Sequence, residues 1–313
     1  MIQSGLYHYR NCHWSGRSVR LLVFFVVHTF RCMMNHVQTV LLPTDFSDHA
    51  LQASRFALGL FRRAEVRFIL YHCFMPFQGS FAGTKAERDN KAEMKQLMGR
   101  LHTLRQKLAH EFPEAGIDLK VDKGIESRRI VAWSKKQPFA LIAMGTKGAG
   151  GLKEKLLGSV TADVIAGSAC PVLAVPPDLE PKPFQRVLMP TEFRLEDLEA
   201  AHFLSELPAS EGVSFQFIHI GSHTRPDRQQ QRKAATFQAA IAGILPGRKT
   251  HFSWHTGEMP ENRILEISES TQPDLLLMTT YRRLGLFDNL FKPSTTRKVA
   301  HHTRIPLLAY PVT

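Results

Sequence analysis

Two short stretches hold the residues whose types and spacing can do chemistry. The first, Gly145-Thr-Lys-Gly148-Ala-Gly-Gly-Leu-Lys-Glu-Lys-Leu-Leu-Gly158-Ser159, sets two glycines three apart and a third at the start of a helical pattern. Glycine permits positive φ and lets a ligand approach the main chain without a side-chain clash. A helix opening at Gly158-Ser159 leaves N–H groups unpaired at the positive end of its dipole, where phosphate is favoured. Ser159 and Thr161 add hydroxyl donors. The second stretch, Pro43-Thr44-Asp45-Phe46-Ser47, puts a carboxylate just past an apolar run. Asp45 can accept from ribose hydroxyls, help hold a phosphate-bound Mg2+, or simply accept from its own following turn. Neither a Gly-x-x-x-x-Gly-Lys-Ser/Thr loop nor a Gly-x-Gly-x-x-Gly fingerprint occurs, so any nucleotide is held by another route.

The elements that must position these stretches come in two copies. Thr39-Val-Leu-Leu-Pro-Thr-Asp-Phe46 is answered 147 positions later by Arg186-Val-Leu-Met-Pro-Thr-Glu-Phe193, and the same offset joins Phe68–His72 to Phe215–His219. Leu141–Met144 matches Leu275–Met278, and Cys170–Pro176 matches Ile305–Pro311. An internal repeat of four strands in order predicts two similar units. Each alternates short apolar runs with helical periodicity, the pattern of a parallel sheet covered on both faces. In the first unit the pattern predicts strands at Val40–Leu42, Val66–His72, Ile117–Val121, Leu141–Met144 and Val172–Val175. Helices are expected at Ser47–Arg62, capped by Ser47, and at Lys85–Glu111, Ser127–Lys136 and Ser159–Gly167, with Gly116 ending a turn. Met94, Leu97, Met98, Leu101, Leu104 and Leu108 form a core stripe. The fold class is therefore α/β, two tandem doubly wound five-stranded parallel-sheet domains. Pro176-Pro177 and Pro181-x-Pro183 mark a stiff linker between domains at 35–178 and 183–313. In such sheets ligands bind beyond the strands' carboxyl ends, where the strand order reverses, so both reactive stretches fall at the expected place.

At these residues the sequence resembles the universal stress protein family in its tandem form, a fold of the adenine nucleotide alpha hydrolase type. Gly145-x2-Gly148-x9-Gly158-Ser159 is similar to the pattern of the family's ATP-binding members, and Pro43–Ser47 and Leu70-Tyr-His-Cys73 to its first two strand exits. The resemblance covers about residues 37 to 313. It implies ATP with Mg2+ in the first domain, adenine near Thr44 and the main chain of Cys73, and ribose against Asp45 and Gly145, with Pro43, Met144 and Thr146 also lining the site. Phosphates would lie on Gly148, Gly158, Ser159, Val160 and Thr161, with Lys147 a mobile phosphate partner and Asp45 the one candidate Mg2+ ligand. The second unit departs at each of these places: Glu192 for Asp45, Thr279 for Gly145, Arg282 or Arg283 for Gly148 and Pro293 for Gly158, so no ATP is expected there. Arg282, Arg283, Lys292, Arg297 and Lys298 could still bind an anion, but such a cluster reads first as a solvated face.

Other chemistry lacks support. His72 and His219 end apolar strands and read as satisfied core residues, Cys73 and Cys170 as small apolar fillers, and His301-His302 are adjacent rather than four apart. No Ser-His-Asp order or His-Glu-x-x-His signature appears, and neither a positioned base nor a charge clamp for efficient phosphoryl transfer is identifiable. The expected activity is that of a cytoplasmic, ATP-binding stress-response sensor or interaction module. The alternatives are a slow ATPase or phosphotransferase using the same pocket, and a scaffold without nucleotide.

Composition sets the outer bounds. The 313 residues are 43% apolar and 22% charged, enough for a large core and about two domains. A net charge of +12 suits polyanions, but no aromatic-interleaved basic strand or recognition helix singles out nucleic acid. Cysteines at 12, 32, 73 and 170 form no Cys-x-x-Cys pair, which argues for a reducing compartment. The longest apolar run, Leu21–Val27, is too short to span a bilayer, so no membrane partner is expected. It lies in a basic, poorly ordered extension, 1–34, without a small-x-small cleavage site, which is otherwise a surface-lying amphipathic piece or upstream sequence joined by a misplaced start codon. Val172–Val175 and Leu307–Tyr310 are expected sheet edges through which the two domains pair within the chain; a homodimer is a further possibility.

Overall fold

Near-continuous apolar runs such as Val40-Leu-Leu42 form strands buried on both faces, and the amphipathic segments between them form helices that cover those faces. The computed structural model describes residues 37–62, 65–76, 84–137, 140–146, 158–207, 212–222, 226–281 and 295–312. The first unit runs β1 (Thr39–Pro43), α1 (Asp48–Leu60), β2 (Arg67–Phe74), α2 (Thr84–Glu111), β3 (Gly116–Lys123), α3 (Glu126–Ser134), β4 (Ala140–Gly145), α4 (Ser159–Gly167) and β5 (Val172–Val175). The second repeats it as β6 (Arg186–Pro190), α5 (Leu195–Ser205), β7 (Ser214–Gly221), α6 (Arg228–Ile244), β8 (Thr250–Thr256), α7 (Pro260–Thr271), β9 (Leu275–Tyr281), α8 (Thr295–His302) and β10 (Leu307–Val312). Expected element positions hold within a few residues. Gly116, expected to end a turn, is instead the first residue of β3, and α3 stops at Ser134, two residues before Lys136. The extension 1–34 lies outside the described residues.

The strands form one ten-stranded sheet in the order β3-β2-β1-β4-β5-β10-β9-β6-β7-β8. All ladders are parallel except the central one, where β5 and β10 meet antiparallel with Leu307 opposite Ala174 and Ala309 opposite Val172. The two expected edges are therefore consumed by each other, and β3 and β8 form the outer edges. Side chains alternate across the sheet. Val40 and Leu42 join a core under α1, α2, α5 and α6, while Leu41 joins a second core under α3, α4, α7 and α8. Both cores run through both units, so the pair is packed as one body rather than tethered.

The connection from β5 to β6 is part of that packing. Phe184 is 2% exposed, with its ring centroid 6.5 Å from that of Phe56 on α1. Lys182 pairs with Asp274 at 2.7 Å, and Pro181 lies against Gly59 of α1. A Cβ at Gly59 would sit 2.5 Å from the Cβ of Pro181, a rigid ring that cannot rotate away. Gly99, inside the exposed stretch of α2, has nothing within 4 Å of such a Cβ. Replacing a helical glycine by alanine ordinarily stabilises by about 0.5–1 kcal/mol. Gly99→Ala should therefore raise the melting temperature by about 2 °C, and Gly59→Ala should lower it by about 5 °C despite the same gain in helix propensity. Differential scanning calorimetry on the two variants checks both signs.

Candidate functional site

The strand order of the first unit reverses between β1 and β4, and a proline opens the sheet there. Backbone groups of alternate strand residues point to opposite sides. Thr44 donates its N–H to the Tyr71 carbonyl of β2 at 2.8 Å, so Thr44 and Leu42 face β2, while Leu41 and Pro43 face β4. The β1–β4 ladder ends at Leu41 opposite Ile142, because the next β1 residue on that side, Pro43, has no N–H to donate. Pairing on the far sides continues: Pro43 stands opposite Tyr71 in the β1–β2 register, and Gly145 opposite Val175 in β4–β5. The result is a cleft between the exits of β1 and β4, the switch point of the sheet.

Several predicted site residues converge on this edge. Thr44 is 1% exposed, and its hydroxyl oxygen accepts from the Phe46 N–H at 3.0 Å. Phe46 sits at φ 64°, a left-handed conformation that costs a bulky residue about 1–2 kcal/mol and is held by this turn and by its ring, 4.6 Å from that of His72. The Asp45 carboxylate accepts from the Ser47 N–H at 2.9 Å, the Asx-type turn that was one of its expected roles, and Ser47 caps α1 by accepting from Ala50 at 3.2 Å. On β2 the even residues face β3, so Cys73 turns its N–H and C=O toward the side that β1 has already left. The same alternation turns Gly145 of β4 toward the cleft, since Thr146 donates to Val175 on the β5 side at 3.0 Å. Met144 is 6% exposed and fills the core beneath.

At the start of α4 the structure corrects two expectations. The Gly158 N–H is not unpaired: it donates to the Thr146 carbonyl at 2.7 Å, and φ is −57°, so this glycine does not use left-handed freedom. The Thr161 hydroxyl donates to the Gly145 carbonyl at 2.8 Å, pinning α4 to the end of β4. Thr296 makes the same bond to the Thr279 carbonyl at 3.2 Å in the second unit, which marks it as structural. What α4 still offers a ligand are the amides of Ser159, Val160 and Thr161, which have no acceptor within the helix, and the Ser159 hydroxyl. Lys147 and Gly148 lie outside the described residues, as do Arg282, Arg283, Lys292 and Pro293.

Both histidines are satisfied by main-chain carbonyls, as expected, although only His219 is buried and His72 is half-buried. His72 Nδ1 lies 2.7 Å from the Thr44 carbonyl and His219 Nδ1 lies 2.8 Å from that of Thr191, the same contact in both repeats. Cys73 is more than a filler: its sulfur lies 3.1 Å from the Tyr71 hydroxyl, which also donates to Asp122 at 2.9 Å. Burial pushes the Cys73 thiol up to about 11, so it stays protonated at neutral pH. Among the described residues no group of three or more His, Cys, Asp or Glu is arranged to hold a metal.

Two acidic residues were missed from sequence. Asp197, at the third position of α5, is buried in the second unit's cleft, and nothing in its local sequence distinguishes it from a surface acid. Glu126 opens α3, directly past the exit of β3, and that position at the carboxyl ends of the strands was a readable signal. Burial pushes the Glu126 carboxyl up to about 7, with the Asp45 charge adding to the rise. A carboxyl raised by folding stabilises the fold while protonated, so this contribution is complete below the unfolded value near pH 4.5 and is lost as pH rises to about 7. With partial exposure allowed for, the loss is roughly 2 kcal/mol. Urea unfolding at pH 5 and pH 8 should show a decline that is smaller by about 2 kcal/mol in Glu126→Gln than in the wild type, the remainder including Glu199, whose carboxyl burial also pushes up to about 7.

Comparison with known proteins places the chain among relatives of one fold. The model of the Universal stress protein family matches residues 36–176 and 183–311. A universal stress protein of Methanocaldococcus jannaschii is 29% identical over 143 residues, spanning 45% of this chain and 83% of that protein. The solved universal stress protein of Archaeoglobus fulgidus superposes with a TM-score of 0.68 at 19% identity, over 88% of this chain and 99% of that one. A functionally unknown protein from Pseudomonas aeruginosa PAO1 gives 0.59 at 16% identity, over 88% and 92%. At such identities the likeness to solved structures is one of fold.

Proposed function

The chain belongs to the universal stress protein family, and from that premise we propose that its first unit binds ATP with Mg2+ and acts as a nucleotide-dependent sensor or interaction module in a stress response. The observation that carries this reading is the cleft opened by Pro43, on which main-chain groups of Cys73 and Gly145, the Asp45 carboxylate and the leading amides of α4 converge from separate elements. Adenine takes the Thr44 and Cys73 side and ribose the Asp45 and Gly145 side. The phosphates lie on Ser159, Val160 and Thr161, with Lys147 and Gly148 completing the loop. Amides without an internal acceptor at a positive helix end favour an anion, and carboxylates favour hydroxyl-bearing sugars over a second phosphate.

The cytoplasm is the proposed location. Cys73 and Cys170 are free buried thiols, which suits a reducing compartment, and no helix among the described residues is long and apolar enough to cross a membrane. A slow ATPase is the second reading, favoured by the Glu126 carboxyl, whose titration near neutrality beside Asp45 suits proton transfer.

Isothermal titration calorimetry of nucleotide-free protein with Mg-ATP tests the first reading. One site per chain is expected, weakened about tenfold or more by Asp45→Ala and by Gly158→Val; absence of heat with any adenosine nucleotide overturns it. Steady phosphate release that Glu126→Gln and Asp45→Ala both abolish would move the assignment to the enzyme.

A further inference from the structure

The two units part company at a position where both are fully described. In the second unit Pro190 again ends a ladder, with Leu188 opposite Leu276 the last β6–β9 pair, so the same cleft begins to open. It is not left open. The Asp197 carboxylate, 2% exposed, stands across the gap. Its Oδ2 accepts from the Thr191 hydroxyl at 2.8 Å, the Glu192 N–H at 3.0 Å and the Arg194 N–H at 3.3 Å, all on the β6 side. Its Oδ1 accepts from the Thr279 hydroxyl of β9 at 2.9 Å.

The first unit has neither half of this bridge. Ala50 holds the third position of α1, as Asp197 does in α5, and Gly145 stands where Thr279 supplies its hydroxyl. Thr44 and Thr191 otherwise behave alike, each accepting from the phenylalanine N–H two residues on, and Phe46 and Phe193 share the left-handed conformation. The difference is thus a matched pair of substitutions that adds one acceptor group and one donor on opposite lips of the cleft. A carboxylate is acceptor-only when ionised, so four donors leave it satisfied, and its place in the first turn of α5 sets it at the positive helix end where an anion is favoured. The partnership is that of a bound anion, supplied from within the chain.

We propose that Asp197 is the built-in occupant of the second unit's cleft, its carboxylate standing where the first unit leaves room for a ligand, so that the second unit is held closed and the first alone exchanges ligand. The second clause rests on the ATP reading above; the occupancy of the second cleft does not.

The test uses the full chain. Asp197→Ala leaves two hydroxyls and two amides without their acceptor, and the melting temperature should fall by about 6 to 12 °C. Sodium formate at about 100 mM, compared with equal chloride, should recover part of that loss in Asp197→Ala and leave the wild type unmoved, because a small carboxylate can re-enter the site. An unchanged melting temperature in Asp197→Ala, or formate acting equally on both proteins, overturns the proposal. Should Asp197→Ala not fold, hydrogen exchange on the wild type decides. The Glu192 and Arg194 amides are expected to be protected about 100-fold or more, and exchange at unprotected rates overturns the bridge. The reciprocal graft, Ala50→Asp with Gly145→Thr, should close the first cleft and weaken ATP binding about tenfold or more without lowering the melting temperature; unchanged ATP affinity counts against the proposal. If the wild type binds no nucleotide, the functional reading falls while the formate result still judges Asp197.

Discussion

A missing hydrogen-bond donor organises both halves of this molecule. Pro43 and Pro190 occupy the last residue of the first strand in each unit, on the side that faces the neighbour across the switch point. With no N–H they cannot extend the ladder to β4 or β9, while the residues after them, Thr44 and Thr191, still bond to β2 and β7 at 2.8 and 2.9 Å. One side of the strand holds and the other parts. Among the described residues of the first unit, Asp45, the main-chain groups of Cys73 and Gly145 and the leading amides of α4 lie around the gap that follows.

The gap needs rigid walls, and the sheet supplies them. Histidines from β2 and β7 bond the carbonyls of Thr44 and Thr191, and the left-handed phenylalanines pack on those histidines, tilted at 4.6 Å in the first unit and stacked at 4.7 Å in the second. A conformation that is costly for a bulky side chain is thereby over-determined by a turn, a ring contact and a strand. The antiparallel β5–β10 ladder then points the carboxyl ends of the two units in opposite directions, so the two clefts lie on opposite edges of one sheet. They share two continuous cores.

Those contents differ in kind. The first cleft is lined by main-chain groups and by a carboxylate engaged with its own turn, whereas the second holds a carboxylate with four donors converging on it. Burial raises the pKa of Asp197, and its hydrogen bonds oppose that rise because every one of them favours the charged form. In the first unit the raised carboxyl is that of Glu126, where burial and the Asp45 charge act in the same direction.

The chain's repeat, its alternation of apolar runs with amphipathic stretches, the two reactive stretches and the prolines at 43 and 190 were all legible in the residues, because each is a local pattern with a fixed period or a fixed backbone consequence. Tertiary structure alone decided the rest. That Thr279 reaches Asp197 across 82 residues, that the Gly158 N–H is committed to Thr146, that the Thr161 hydroxyl binds the end of β4 and that Glu126 lies within the field of Asp45 are contacts between elements distant in sequence. Such contacts leave no mark in either segment read separately: a carboxylate three residues into a helix looks the same whether it faces water or a cleft, and only the packing of the sheet determines which.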